Sequence, residues 1–293
     1  MELFRNFMLA AALACAGAAH AQDADGNAEA VKAFLGSLHF QSGTVTVPQA
    51  HATLKLAPEY RYLGAADAQK VLEQLWGNPP DADVLGMLLP GGEKTLVDQK
   101  AWAVVLTHAD EGHVSDADAA GTDYDKMLKD MQAAAREENP EREKQGYPAV
   151  DIVGWAAKPH YDNTTNKIYW AKELKFSGSD GNTLNYDIRV LGRSGYLSMN
   201  AVAPMSELAT VETGMQRVIA MTEFDTGHRY ADFNASTDKV AAYGVAALVG
   251  GALASKAGLF AKLLALLVAG KKFVGIAVIG LVALVGRLFG RKK

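Results

Sequence analysis

Four aspartates fall within ten positions of one stretch, HVSDADAAGTDYDKMLKDM from His113 to Met131: Asp116, Asp118, Asp123 and Asp125. Carboxylates at that density can ligate calcium, share acid–base work, or start a helix. Set as an EF-hand loop beginning at Asp116, the stretch offers Asp118 at the third position and Gly121 at the sixth. Ala120 then stands at the fifth position and Met127 where the bidentate glutamate belongs, so two required ligands are missing. A helix start fits better. Thr122 is placed to cap it, Asp125 follows in the capping-box position, and Asp123 suits the positive first turn. Met127, Leu128 and Met131 then share one side.

Other reactive residue types are sparse. Ser194 in GRSG lacks the strand–turn–helix setting of a nucleophile elbow and reads as a hairpin turn. His39, His51, His108, His113, His160 and His228 are scattered, with no H-E-x-x-H, and His108 and His113 straddle a turn. LPGGEK before Thr95 is too short for a phosphate-binding loop. No catalytic residue, metal ligand or cofactor is assigned. One group remains: His160, Tyr161 and Asp162, then Tyr169, Trp170 and Glu173, gathered around a hairpin. Aromatic area with orienting charges makes these six a candidate binding surface. The plainer alternative packs Trp170 in the core and pairs Glu173 with a lysine or with Arg189 across the strand.

Elements must position these residues. DAQKVLEQLWGNPP reads as a helix capped by Asp67 and stopped by Gly77 and Pro79-Pro80. Short strands are expected at Thr44–Val47 and Ala52–Leu56, and a buried one at Ala101–Thr107. ENPEREKQGYP reads as a charged linker. VDIVGWA is a strand. Beyond it, IYWAKELKF puts Ile168, Trp170, Leu174 and Phe176 on one face, interrupted by Lys172. TLNYDIRVLGR aligns Leu184, Tyr186, Ile188 and Val190, and YLSMNAVA completes a three-stranded antiparallel meander. SELATVETGMQRVIAMTEF, with Leu208, Val211, Met215, Val218, Ile219 and Thr222 on one side, is the helix that covers the apolar face.

The two ends of the chain differ from its middle. Residues 1–21 carry Arg5, an apolar run and Ala19-His20-Ala21, the pattern of a secretory signal peptide. Lipidation at Cys15 is the alternative, but Ala12-Leu13-Ala14 lacks leucine three residues upstream. Cys15 is the one cysteine, so no disulfide framework and no cysteine-based zinc site exist. From Val240 three apolar pieces follow, ending in RLFGRKK. Each is shorter than the ~20 residues a span prefers, though snorkelling lysines extend the reach. One, two or three crossings fit. An odd number puts Arg287, Arg291, Lys292 and Lys293 in the cytoplasm. The net charge of −4 excludes the basic excess of a nucleic-acid binder.

Several motifs resemble the bacterial DUF2167 family of membrane-anchored proteins. They are LWGNPP, GMLLP, WAVVLTHADEGHVSDADA with DYDKMLKDM, GWAAKPHYDNTTNKIYWAKELKF, NTLNYDIRVLGRSGYLSMNAVAPMSEL and GHRYADFN. They occur in order over nearly the whole mature chain. His108 and His113 depart from the family, which more often carries tyrosine there. The resemblance implies an envelope protein with a tail anchor and supplies no catalytic residue. The element order is also similar to α/β sandwiches of the PsbP/Mog1 type, an analogy of fold alone.

The expectation is an α+β protein: an antiparallel meander covered by helices in a layered sandwich, followed by C-terminal hydrophobic transmembrane helices. Residues 1–21 form the signal peptide, 22–238 an exported domain, and 239–293 the anchor. The domain is placed in the periplasm of a bacterial inner membrane, with the basic C-terminus in the cytoplasm. The partners expected are the lipid bilayer and an envelope protein, with no nucleic acid. The role expected is non-enzymatic binding or scaffolding. The alternatives are an envelope hydrolase using Asp162 and Glu173, or a binder of a lipid or small apolar ligand between sheet and helix.

Overall fold

The computed structural model of the chain describes residues 31–76, 78, 80–98, 102–144 and 146–250. The leader, the spans expected beyond 250, and the helix-stopping Gly77 and Pro79 lie outside the described residues. In chain order come β1 (Phe40–Gln41), β2 (Thr44–Val47), β3 (Ala52–Lys55), β4 (Tyr60–Gly64), α1 (Ala65–Lys70), β5 (Val84–Pro90), β6 (Ala103–Ala109) and β7 (His113–Ser115). There follow α2 (Tyr124–Lys144), β8 (Val150–Asp162), β9 (Lys167–Phe176), β10 (Thr183–Leu191) and β11 (Tyr196–Pro204). The last are α3 (Leu208–Met221), β12 (Thr222–Phe224), β13 (Val240–Gly244) and α4 (Val245–Gly250).

The expected meander is present and larger. β8, β9, β10 and β11 pair antiparallel in sequence, and the sheet continues through β6, β5, β4 and β1 to eight strands. The fold is α+β. One sheet face buries Leu184, Tyr186, Ile188 and Val190, as the alternation requires, with Leu197, Met199 and Ala201. α3 covers it with Val211, Met215, Val218 and Met221. A small sheet in the order β12-β3-β2 covers the rest with Val45, Val47, Ala52 and Leu54, so helices share this face with strands. Thr222, expected on the helix, is buried as the first residue of β12.

The opposite face carries three smaller cores. α1 and the π-turn Val71–Leu75 bury Ala68, Val71 and Leu72 on Leu63, Met87 and Leu89. α2 sets Met131 and Ala135 on Ile152, Leu174 and Phe176. α4 sets Val245, Leu248 and Val249 on Ile168, Trp170 and Tyr196. A sheet covered on both faces explains why β10 and β11 are buried along almost their full length.

Two helix boundaries depart from the sequence reading. Asp67 does not cap its helix; Gly64 is the N-cap, and Asp67 accepts from the His39 backbone N–H at 2.9 Å and pairs with Lys70 at 2.7 Å. Helix α2 runs through Pro140, so residues up to Lys144 are helical where a charged linker was expected. Proline in a helix interior forfeits one hydrogen bond and crowds the preceding turn. Tertiary anchors outweigh that here. Asn139 exchanges two bonds with the Val150 backbone, at 3.1 and 2.8 Å, and buried Arg142 donates Nε to Pro148 O at 3.1 Å.

Strand β8 ends the sheet, and an open edge invites pairing with another chain. Here α2 caps it: Gln132 Nε2 donates to Ile152 O at 2.9 Å, and Trp155 Nε1 to Tyr124 O at 3.2 Å. Farther along, the pairing with β9 shifts register around Ile152, Trp155 and Ala157, and Lys158 and Pro159 follow. On the other face α3 approaches closely because residue 214 is glycine. A Cβ there would meet the Trp102 indole, and Tyr60 Oη donates to Gly214 O at 3.3 Å.

Candidate functional site

The six residues of the candidate surface do not form one surface. Alternation along β9 sends Tyr169 and Glu173 to the α3 side and Trp170 to the other. His160 lies opposite Tyr169, their rings 5.1 Å apart. Tyr161 turns to the α4 side. Asp162 closes the hairpin by accepting Thr164 N–H at 2.9 Å and the Thr165 hydroxyl at 2.7 Å; the hydroxyl bond comes first among the causes holding its carboxyl below the ordinary range. Trp170 is buried, as the plainer alternative has it. Glu173 pairs with neither a lysine nor Arg189 in these contacts; it accepts Asn182 Nδ2 at 2.5 Å.

That placement bears on both alternatives. Asp162 lies opposite Lys167, six residues along β9 from Glu173. At about 3.3 Å per residue they stand roughly 20 Å apart, against the roughly 5–9.5 Å that paired glycosidase carboxylates need. They cannot act on one bond. Between sheet and α3 the space is filled, down to the Gly214–Trp102 contact. A cavity of about 30 Å³ lined by Trp76, Thr95, Leu96, Asp98, Trp102, Ala103 and Val202 is far too small for a lipid.

Sequence reasoning missed a buried ionic ladder. The second face of β9, β10 and β11 carries Lys172, Asn185, Asp187, Arg189, Ser198 and Asn200, all nearly inaccessible. Asp187 is the hub. Lys172 Nζ lies 3.4 Å from it, Arg189 Nη1 3.2 Å, and Asn200 Nδ2 donates at 2.9 Å. The Arg189 guanidinium also lies 5.1 Å from the Trp170 ring centre and 5.8 Å from that of Tyr196. Lys172 on an otherwise apolar face was the available signal.

The acidic stretch divides its work. Asp123, not Thr122, caps α2, its Oδ1 accepting the N–H groups of Asp125 and Lys126 at 3.1 and 2.9 Å. Thr122 donates to Asp118 O at 2.8 Å. Asp125 pairs with Lys158 at 2.8 Å. The remaining two acids face the end of the domain. Asp118 accepts the Ala246 N–H at 3.3 Å at the start of α4, and its carboxylate fills the space where a side chain on Gly244 would stand. Asp116 accepts the Tyr161 hydroxyl at 2.9 Å; burial first, then this carboxylate, pushes the Tyr161 phenol well above its ordinary value. Burial likewise pushes Tyr230, beside Asp116, up to about 12.

Around these acids the chain forms a clasp. β7 pairs parallel with β13, and His113 N–H donates to Lys239 O at 2.8 Å. Gly112, at φ 103°, lies so close to the 239–241 backbone that a Cβ would come within 2.9 Å of it. The His113 ring sits between Tyr230 and Phe233, centroids at 4.3 and 3.8 Å. Burial lowers its pKa, against the opposing pull of Asp116 and Asp238. Arg193 grips Asp238 at 2.7 and 2.9 Å, and Tyr243 donates to Glu111. Ser194 lends only its carbonyl, to Gly112 N–H at 2.9 Å. Within Val240–Gly250, the first part of the apolar region assigned to the anchor, Ala241, Val245, Leu248 and Val249 are thus core of the domain. They meet Val114, Ile168 and Trp170. Among the described residues no helix is long and apolar enough to cross a membrane, and no three His, Cys, Asp or Glu side chains are grouped to hold a metal ion.

A family model described as a protein of unknown function, DUF2167, matches residues 39–283. No curated protein matches the chain. Among solved structures the chain is similar to cyanobacterial PsbP (CyanoP) from Synechocystis sp. PCC 6803, at 9% identity and a TM-score of 0.37, covering 64% of this chain and 93% of that one. It is also similar to the Ran-binding protein Mog1p of Saccharomyces cerevisiae, at 8% identity and a TM-score of 0.32, covering 68% of this chain and 100% of that one.

Proposed function

The chain belongs to the DUF2167 family, and from that premise we propose that it is a membrane-tethered module of the bacterial cell envelope with a binding or scaffolding role. Its domain stands in the periplasm. Its apolar tail enters the inner membrane, and the basic C-terminus reaches the cytoplasm. The observation that carries this reading is the clasp. β13 and α4 pack into the core through Ala241, Val245, Leu248 and Val249, and in sequence the apolar stretch that ends in Arg291-Lys292-Lys293 follows them. An anchor that follows directly in sequence on elements of the core would hold the domain close to the bilayer, as a scaffold requires.

Two features of the residues support the binding role. Asp116, Asp118 and Asp162 are engaged in holding backbone and phenol groups. Asp162 and Glu173 stand too far apart for paired acid–base work. The test is fractionation of cells expressing the full chain beside a version ending at Gly250. The full chain should stay in alkali-washed membranes and the shorter one should appear in the periplasmic fraction. Crosslinking in those membranes should then capture an envelope protein. A full chain recovered in the soluble fraction would end the proposal.

A further inference from the structure

Two imidazoles stand face to face beside the clasp. The rings of His51 and His228 have centroids 3.8 Å apart and planes within 9°. His51 is exposed and follows the turn Pro48–Ala50 with a left-handed backbone, φ 49°. His228 belongs to the strap over 225–238 that runs from β12 to β13. The same contact is stitched by backbone bonds: Asp225 N–H donates to His51 O at 2.8 Å, and Arg193 N–H to His228 O at 2.9 Å. The stack therefore lies where the strap fastens to the β2–β3 hairpin and to the β10–β11 turn.

Imidazole is the side chain that changes charge between about pH 5 and 8. Neutral rings stack without penalty, whereas two imidazolium rings face to face repel. From β6, half-buried His108 lies within charge range of His51 and adds a third titratable ring, with Asp110 beside it. On the strap, Asp225 accepts the Thr53 hydroxyl at 2.8 Å, and Asp232 accepts the N–H groups of Gly227 and Arg229 at 2.9 and 3.0 Å. Asp238 is paired with Arg193, and Arg229 donates to Phe224 O at 3.4 Å. Asp225 and Asp232 keep their charge while they accept these bonds and offset part of the repulsion, Asp238 is neutralised by Arg193, and Arg229 adds a further positive charge.

We propose that the His51–His228 stack is an acid-released latch that holds the 225–238 strap, and with it the approach to β13, while the rings are neutral. The inference stands on the geometry and does not depend on where the chain resides. The test is amide hydrogen exchange of the strap in the full-length protein, corrected for intrinsic exchange, between about pH 7.5 and 5.5. Strap protection should fall at least about tenfold more than that of β9 and β10, and His228→Phe, which keeps a stacked ring that cannot charge, should remove the difference. An equal fall in both proteins, or none in the native chain, overturns the latch. Should that variant not fold, the same exchange measurement on His51→Phe, which leaves a single chargeable ring in the stack, decides the matter. A strap whose exchange in that variant still quickens on acidification refutes the latch, and one that has lost the pH dependence supports it.

Discussion

Arg193 and Asp238 meet in a two-pronged ion pair, Nε to Oδ2 at 2.7 Å and Nη2 to Oδ1 at 2.9 Å, joining the β10–β11 turn to the residue two before β13. Hydrogen bonds from Arg193, the largest cause, hold the Asp238 carboxyl well below the ordinary carboxylate range. A depressed carboxylate pKa contributes stability that is present above about pH 4 and lost as pH falls toward the folded value. Asp238→Asn should therefore lower the melting temperature at neutral pH. Melts repeated at decreasing pH should show the gap to the native protein closing; a gap that stays constant would mean that the charge is not what matters.

Ending the chain after Asp238 should be far more damaging than ending it after Gly250. The longer version keeps Ala241, Val245, Leu248 and Val249 on Trp170 and Tyr196, and the shorter one exposes that core. Urea unfolding of the two should give a well-separated pair of midpoints. Coincident midpoints would show that β13 and α4 contribute nothing.

Asp187→Ala removes the carboxylate that lies between Lys172 and Arg189. Breaking a buried ionic cluster by removing one member costs about 3–5 kcal/mol. Replacing Lys172 by Met should cost less, because Arg189 and Asn200 continue to satisfy Asp187. Equilibrium denaturation that ranks the two the other way would locate the hub elsewhere.

Gly214→Ala improves helix propensity by about 1 kcal/mol, yet the new methyl meets the Trp102 indole. Overpacking costs about 1–3 kcal/mol, so the net effect should be destabilising. A stabilised variant in chemical denaturation would show that Trp102 can move.

Asn139→Ala strips both side-chain bonds from the Val150 backbone at the start of β8. Buried groups left unsatisfied cost about 1–3 kcal/mol. Amide exchange should rise in the last turns of α2, through Pro140, more than in its first half. Uniform exchange along α2 would contradict the anchoring.

The meander was legible because Ile168, Trp170, Leu174 and Phe176, and again Leu184, Tyr186, Ile188 and Val190, repeat with the period of a pleated strand. Asp187 and Arg189 repeat with the same period, and polar residues at that spacing ordinarily mark the solvent side. Their burial follows from covering both sheet faces, which no local pattern states. Pro140 misled for a related reason: its local cost is outweighed by Asn139 and Arg142, whose partners lie beyond the helix. Val240–Gly250 is apolar throughout, and such a run reads alike whether it fills a core or enters a membrane. Of the candidate surface, alternation alone separated Tyr169 from Trp170. The His51–His228 stack joins residues too distant in sequence for any spacing to reveal.

The bond between Asp118 and Ala246 spans 128 residues. Contacts closed over such a separation form late, because the intervening chain must first be brought together. In a chain that emerges from its N-terminus, Asp118 waits for Ala246 while β8 to α3 assemble. The seam closes only when Val240–Gly250 is available to pair with β7 and Asp118. A chain arrested before Gly250 would therefore offer proteases an open seam along β7.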